Sequence, residues 1–179
     1  MYSLMKSREK MLGIIAYGSL INPRETEKQR ERPTHVVPIK LVTFERSFNQ
    51  LPTWRKKSGE CSAVLNVQIS EQNWLNAVCY CYPNFDFTDL DNRERGYTRT
   101  KVSLEKIKSY HGFNLPELTE IFIYLGKNEK KNNRILPNPE YLDICLLGAK
   151  KWGESFYHDF LNTTHINNGV LLENYLSPN

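Results

Sequence analysis

Two short stretches combine residue types that could hold an anion and move a proton. The first is Ala16-Tyr17-Gly18-Ser19-Leu20, which follows an apolar run over residues 11–15. A buried strand that ends in Tyr-Gly-Ser must bend sharply, and such a bend can leave consecutive backbone N–H groups pointing one way. N–H groups in that arrangement hold carboxylates or stabilise oxyanions. A Gly-Ser turn after a strand is more often only a turn, so the stretch gains meaning from a second signal.

The second stretch carries the carboxylate best suited to act as a base. Thr88 and Asp91 have the spacing of a capping box and predict a short helix over Thr88–Arg95. Gly96 is placed to end this helix as a left-handed cap. Glu94 would lie in the last turn, where the negative end of the helix dipole disfavours a carboxylate and burial would raise its pKa further. These conditions suit a general base, whereas the competing interpretation is a solvated surface glutamate.

Length and composition indicate a folded chain. The 179 residues suit one domain with its own core, and 40% of them are hydrophobic and 12% aromatic. No apolar run approaches the roughly 20 residues of a membrane span. The N-terminus lacks the pattern of a signal peptide. We therefore expect a cytoplasmic protein with a flexible arm over residues 1–10 and a single domain over residues 11–179.

Cysteines, histidines and charges do not indicate a metal site. The four cysteines form no Cys-x-x-Cys pair, and the four histidines show no ligand spacing with them. Cys79 and Cys81 would share one face of a strand, which favours buried free thiols in a reducing compartment. The net charge of +4 is spread over the chain. A solvated surface is therefore favoured over a nucleic-acid patch, with Lys56–Lys57 and Lys127–Arg134 keeping that alternative open.

The remaining pattern predicts the elements that position these residues. Clusters of β-branched and aromatic residues predict strands over 11–17, 36–48 (one strand, or two with a break at Pro38), 61–69, 74–82, 97–104 and 119–125. A short helix should begin at Asn22-Pro23 and end before Pro33, and a long amphipathic helix should run from Asn138 to about Asn162. Strands and helices do not alternate regularly, which predicts one mixed α/β (α+β) domain with a partly closed sheet of about six strands.

Three motifs in this order resemble the γ-glutamylcyclotransferase-like superfamily, which includes AIG2-like and ChaC-like proteins. They are Ala16-Tyr17-Gly18-Ser19-Leu20, then Leu90-Asp91-x-x-Glu94-x-Gly96-Tyr97-x-Arg99-x-x-Val102, then Pro139-x-Tyr141-Leu142 with Gly148-Ala149. The resemblance covers residues 11–163. It implies a small mixed β-barrel with flanking helices, among them the long C-terminal helix.

The resemblance also implies a reaction and the residues that perform it. An amine is released from a γ-glutamyl amide while the glutamyl half closes to 5-oxoproline, without a cofactor or metal. Glu94 matches the catalytic glutamate of the family. Tyr17, Gly18, Ser19 and Leu20 match the substrate-binding loop, and Tyr141 matches a tyrosine that lines the pocket at the start of the C-terminal helix.

Departures from the family pattern bear on the substrate. Ala77 or Val78 stands where many relatives have a glycine, and the chain lacks the Leu-Trp pair that follows Tyr-Gly-Ser in many ChaC-type enzymes. We therefore expect a γ-glutamyl amino acid or γ-glutamyl amine as the small-molecule substrate rather than glutathione. Arg99 could pair with a carboxylate near the site or face outward. The alternative function is a catalytically silent module that holds a small acidic metabolite or peptide, and the protein is expected to be a monomer or homodimer.

Overall fold

The structure, a computed structural model, describes residues 11–27, 30–53, 62–110, 112–166 and 169–177. The elements in these residues are, in chain order, β1 (Leu12–Ala16), α1 (Pro23–Thr26), β2 (His35–Gln50), β3 (Val64–Tyr82), α2 (Thr88–Arg93), β4 (Tyr97–Lys101), β5 (Ile107–Ser109), β6 (Glu120–Gly126), α3 (Pro139–Lys150), α4 (Glu154–Asn162), β7 (Thr164–Ile166), β8 (Val170–Leu171) and α5 (Leu172–Leu176). The predicted arm over residues 1–10, Lys56–Lys57 and Cys61 lie outside the described residues.

One mixed sheet holds all eight of these strands. Seven follow the order β4-β6-β1-β3-β2-β7-β8, and β5 pairs with β2 off this path. The pairs β1–β6 and β2–β7 are parallel, and the other pairs are antiparallel. The predicted mixed α/β class is confirmed. The strand number is higher than expected and the sheet stays open, because β4 and β8 form its two ends without pairing with each other.

The centre of the sheet is the long antiparallel pair β2–β3. Two strands are predicted over residues 61–69 and 74–82, whereas residues 64–69 and 74–82 belong to one strand that begins at Val64. Opposite its middle, the β2 register jumps from Val42, paired with Trp74, to Phe44, paired with Ile69. Thr43 between them has a φ of 64°, a strained value for a β-branched residue. A bulge of this kind bends a strand pair, and both β2 and β3 continue beyond it.

Pro38 does not break β2. It pairs with Val78 of β3 on one side, whereas β5 first pairs with β2 at Ile39 on the other side. Proline lacks an N–H group and is tolerated where a ladder bond is missing anyway. The prediction of one strand over this region is therefore confirmed, and the prediction of a break is wrong.

The helices differ in length from the predicted ones. The long C-terminal helix is two helices, α3 and α4, because Gly153 between them has a φ of 97°, which a continuous helix cannot accommodate. The predicted start of α3 is confirmed, since the Asn138 side chain accepts a hydrogen bond of 2.9 Å from the Tyr141 N–H. The first helix, α1, ends at Thr26 and is thus shorter than predicted.

The core brings β1, β3 and α3 together near the end of β1. α3 packs closely on the turn after β1, because a Cβ at Gly148 would lie 2.7 Å from the Asn22 nitrogen. Cys79 and Cys81 lie on one buried face of β3 with their sulfurs 3.8 Å apart, as free thiols. Among the described helices, none combines the length and apolar character needed to cross a membrane.

Candidate active site

The turn after β1 is a single 3-10 turn over Ser19–Ile21. The Ile21 N–H donates to the Gly18 carbonyl and the Asn22 N–H donates to the Ser19 carbonyl, each at 3.0 Å. Gly18 has a φ of −121°, so the left-handed region plays no part in the bend. The glycine is needed for space instead, because a Cβ at this position would collide with the Tyr141 hydroxyl. The Leu20 carbonyl accepts a 2.7 Å bond from the Tyr80 hydroxyl, which fixes the far side of the turn.

Tyr141 contacts the turn from the first turn of α3. Its hydroxyl accepts a hydrogen bond of 3.4 Å from the Ser19 N–H. The ring is buried and meets Phe48 edge-on at a centroid distance of 6.2 Å. A direct hydrogen bond therefore joins the turn after β1 to the start of α3.

Glu94 ends α2. Its N–H donates to the Leu90 carbonyl and its carbonyl accepts from the Tyr97 N–H, both at 2.8 Å. The side chain is 21% exposed, and its Oε1 lies 3.7 Å from Nε of Arg93. Burial raises the pKa of Glu94 above the ordinary glutamate value, and the Arg93 charge opposes this shift. The carboxylate is thus tuned in the direction that a general base near neutral pH requires.

All six residues predicted for the site line two adjoining cavities. The outer cleft has a volume of about 410 Å³, and the inner cavity has a volume of about 60 Å³. Ser19, Glu94, Tyr97 and Tyr141 line both cavities. Tyr17, Gly18 and Leu20 line the inner cavity. The helix-end carboxylate and the turn after β1 therefore face one pocket, although the roles of these residues stay predictions.

Tyrosines form much of the wall. The Tyr17 hydroxyl donates to the Tyr124 carbonyl at 2.5 Å, and the Tyr97 hydroxyl donates to the Leu65 carbonyl at 2.8 Å. Burial, with a smaller contribution from the Glu94 charge, raises the pKa of Tyr17, Tyr97 and Tyr141 above the ordinary tyrosine value. These hydroxyls therefore remain protonated at neutral pH. Tyr97 was not singled out from the sequence, although it directly follows Gly96 in the second motif.

The local structure around α2 corrects three expectations. Thr88 is not the cap of α2; the Asp86 carboxylate accepts from the Thr88 N–H at 2.9 Å instead. Asp91 does not complete a capping box, because its carboxylate accepts from the Tyr124 hydroxyl at 2.6 Å. Gly96 is not left-handed. A Cβ at Gly96 would collide with the Thr53 hydroxyl, so close packing accounts for this glycine.

Arg99 lies outside both cavities and holds α2 on the sheet. Its Nη1 lies 3.0 Å from Oδ2 of Asp91, and its guanidinium stacks over Phe87 at 4.0 Å. Asp91 in turn connects to β6 through the Tyr124 hydroxyl. Arg99 is exposed, as the outward-facing alternative expects, and its partner Asp91 is an exposed carboxylate of α2 that lines neither cavity. The pair connects α2 to β4.

Sequence reasoning missed the buried polar residues behind the site. The fully buried side chain of Gln50 donates to the Gly96 carbonyl at 2.9 Å. The fully buried Arg46 donates to the Tyr17 carbonyl at 3.2 Å. Both residues follow the β2 alternation that places Phe44 and Phe48 inward, so the periodicity alone could have placed them in the core.

The sequence matches no family model and no curated protein. Solved structures do resemble the fold. A γ-glutamyl cyclotransferase superposes with a TM-score of 0.61 at 17% identity, covering 89% of this chain and 90% of its own. An uncharacterized human protein has a TM-score of 0.63 at 18% identity, with 90% and 92% covered. A yeast γ-glutamyl cyclotransferase specific to glutathione has a TM-score of 0.56 at 16% identity, with 87% and 98% covered. The chain therefore has the γ-glutamyl cyclotransferase-like fold.

Proposed function

We propose that this protein is a γ-glutamyl cyclotransferase that converts a γ-glutamyl amino acid or γ-glutamyl amine into 5-oxoproline and the free amine. The observation that carries the proposal is that Glu94 and the Ser19 turn line one pocket. The fold is shared with proteins described as γ-glutamyl cyclotransferases, which supports the same conclusion.

In the proposed reaction, the substrate's own α-amine attacks its own γ-carbonyl carbon. Glu94 takes one proton from the α-ammonium group, which makes the nitrogen nucleophilic. The new C–N bond closes the five-membered ring and gives a tetrahedral intermediate. Glu94 gives this first proton to the leaving nitrogen and, as a carboxylate again, takes the second proton from the ring nitrogen. The old C–N bond then breaks as the oxyanion re-forms the carbonyl, and the freed amine takes the second proton from Glu94. The raised pKa of Glu94, caused by burial, suits both the uptake and the delivery of a proton near neutral pH.

The turn after β1 supplies the electrostatic part of the mechanism. N–H groups of Gly18, Ser19 and Leu20 would hold the α-carboxylate and the oxyanion of the intermediate. The bond from the Ser19 N–H to Tyr141 is long, at 3.4 Å, so a charged oxygen can replace the hydroxyl as its acceptor. The Tyr141 hydroxyl remains protonated and can then donate to the same oxygen. Ser19 thus acts through its backbone, not as a covalent nucleophile.

The pocket also holds the substrate in a curled conformation. Well-oriented intramolecular reactions gain roughly 7–11 kcal/mol over free encounter. The inner cavity, walled by Tyr17 and Tyr97, would take the glutamyl half. The leaving half would extend into the outer cleft, whose mouth includes Thr53 and Arg93.

The proposal is tested by assaying 5-oxoproline release from γ-glutamyl-alanine, γ-glutamyl-ε-lysine and glutathione. We expect turnover of at least one of the first two, and essentially none by Glu94→Gln, which should still fold. Glu105→Gln is the matched control, because Glu105 is exposed and lines neither cavity. Equal activity of Glu94→Gln would remove Glu94 from the mechanism. Binding of these compounds without turnover by the unmodified protein would favour the alternative, a silent binding module.

A further inference from the structure

Arg46 is the largest fully buried side chain and carries a formal charge into the core. Each guanidinium nitrogen donates. Nε bonds Thr164 Oγ1 at 2.8 Å, and Nη1 bonds the Asn76 carbonyl at 2.8 Å and the Tyr17 carbonyl at 3.2 Å. Nη2 bonds Asn76 Oδ1 at 2.9 Å and Thr163 Oγ1 at 3.1 Å. The five N–H donors of the guanidinium are therefore engaged.

These acceptors satisfy the donors of Arg46 but do not neutralise its charge. All of them are carbonyls, hydroxyls or an amide oxygen, and no carboxylate of the described residues forms an ion pair with Arg46. Burial lowers the pKa of Arg46 to about 9, so the side chain stays charged at neutral pH. Its ring contact is also neutral, with the guanidinium 3.9 Å from the centre of Phe160. A buried cation without a counter-ion is costly, which calls for a role beyond packing.

One of its bonds reaches the candidate active site. The Tyr17 carbonyl that accepts from Nη1 belongs to the same peptide group as the Gly18 N–H. In a trans peptide these two groups point in opposite directions, and no peptide bond of the described residues is cis. The Gly18 N–H therefore points away from Arg46. Gly18 itself lines the inner cavity that Glu94 also lines.

We propose that Arg46 is a positioning residue that polarises the Tyr17–Gly18 peptide and so makes the Gly18 N–H a stronger donor to the oxyanion. A charged donor on the carbonyl side of an amide draws electron density from its nitrogen. Hydrogen bonds in series strengthen one another by roughly 10–30% per bond. The same contact fixes the orientation of the peptide, since Asn76 and Thr164 hold the guanidinium from two other strands. This role in catalysis rests on the proposed function, whereas the polarisation itself does not.

The first test replaces Arg46 by methionine, which keeps an unbranched apolar stem but removes the guanidinium with its charge and its donors. In the ¹⁵N–¹H spectrum of the free protein, the Gly18 amide proton should move upfield. The kcat for 5-oxoproline release should fall about ten-fold with KM nearly unchanged, because the lost interaction acts on the transition state. The matched control is Thr163→Val, which removes one acceptor of Nη2 and leaves the Tyr17 contact in place. It should lower the melting temperature without moving the Gly18 amide or kcat.

A second variant covers the case in which Arg46→Met does not fold. Asn76→Asp leaves Arg46 in place and puts a carboxylate where Oδ1 now lies 2.9 Å from Nη2. The counter-charge should weaken the field on the Tyr17 carbonyl, moving the Gly18 amide upfield and lowering kcat in the same direction. An unmoved Gly18 amide in the folded variants would overturn the proposal and leave Arg46 a structural residue. Absence of turnover by the unmodified protein, together with the expected amide shift, would overturn the proposed function alone.

Discussion

The Tyr141 hydroxyl lies so close to Gly18 that no side chain fits between them, and it accepts the Ser19 N–H at 3.4 Å. The start of α3 and the turn after β1 are therefore one unit. Gly18 and Tyr141 depend on each other, because a side chain at residue 18 would displace the tyrosine hydroxyl. The arrangement explains why a stretch near residue 18 and a stretch near residue 141 occur together in the sequence.

Gly18→Ala should destabilise the fold by about 1–3 kcal/mol, the usual cost of overpacking. The new Cβ would collide with the Tyr141 hydroxyl, whereas the next ring atom lies 3.6 Å from that position. Tyr141→Phe in the same chain should therefore recover most of the loss, measured as the free energy of unfolding in urea. A double variant as unstable as the sum of the two single variants would contradict this contact.

Arg93→Met should shift the acidic limb of the kcat/KM profile to higher pH. The base form of Glu94 is needed for attack, so activity rises with pH through the pKa of Glu94. Arg93 opposes the raised pKa of Glu94 caused by burial, and its removal lets that pKa rise further. The matched control is Arg95→Met, since Arg95 is exposed and does not contribute to the pKa shift of Glu94. An acidic limb at the same pH in Arg93→Met and Arg95→Met would show that a group other than Glu94 controls this part of the profile.

Glu94→Gln should be more stable than the unmodified protein at pH 8. Because burial raises the pKa of Glu94 in the folded state, the fold binds that proton more tightly than the unfolded chain does. The stabilising contribution of Glu94 is therefore present at low pH and is lost as pH rises through the folded-state pKa. The advantage of the glutamine should shrink below the ordinary glutamate pKa of about 4.3. Chemical unfolding of both proteins, at pH 8 and below the ordinary glutamate pKa, measures this difference in stability. A Glu94→Gln variant that is less stable than the unmodified protein at pH 8 would contradict the burial of the charge.

Arg99→Met should lower the free energy of unfolding by about 1 kcal/mol, combining a partly exposed ion pair with Asp91 and a cation–π contact. The matched control is Lys101→Met, on the same strand as Arg99, which breaks an ion pair with Glu120 of β6 but removes no ring contact among the described residues. It should cost clearly less. Since Arg99 lies outside both cavities, kcat should stay within about two-fold, well below the effect of a lost oxyanion donor. A larger fall in kcat would place Arg99 in the function of the site.

Local sequence patterns predicted where strands and helices form better than they predicted where one element continues or breaks. The apolar run before Tyr17, the Asn138-Pro139 start of α3 and the strand character of residues 36–48 follow from side-chain types alone. The joining of residues 64–69 and 74–82 into one strand does not, because it depends on pairing with β2 around the bend at Thr43. A glycine such as Gly153 favours a helix break, but the apolar spacing on both sides of it favours one continuous helix.

The sequence motifs predicted the residues of the candidate site, but they did not predict the buried polar residues that lie behind it. Glu94 and Tyr141 stand in motifs whose order carries meaning. Arg46 and Gln50 are long polar side chains on a strand, and such residues are usually exposed. Only their tertiary contacts with Tyr17 and Gly96 place them behind the candidate site. The sequence pattern favours a backbone-conformation role for Gly18 and Gly96, whereas close packing against Tyr141 and Thr53 explains these glycines.

The identity of the acid product tests the central claim most directly. Intramolecular attack on γ-glutamyl-alanine must give 5-oxoproline and alanine in equal amounts, with no free glutamate, and this product should disappear in Glu94→Gln. Chromatography of the products after incubation with the unmodified protein distinguishes the outcomes. We predict 5-oxoproline and alanine in a one-to-one ratio. Free glutamate as the main product, or 5-oxoproline released equally by Glu94→Gln, would contradict the account.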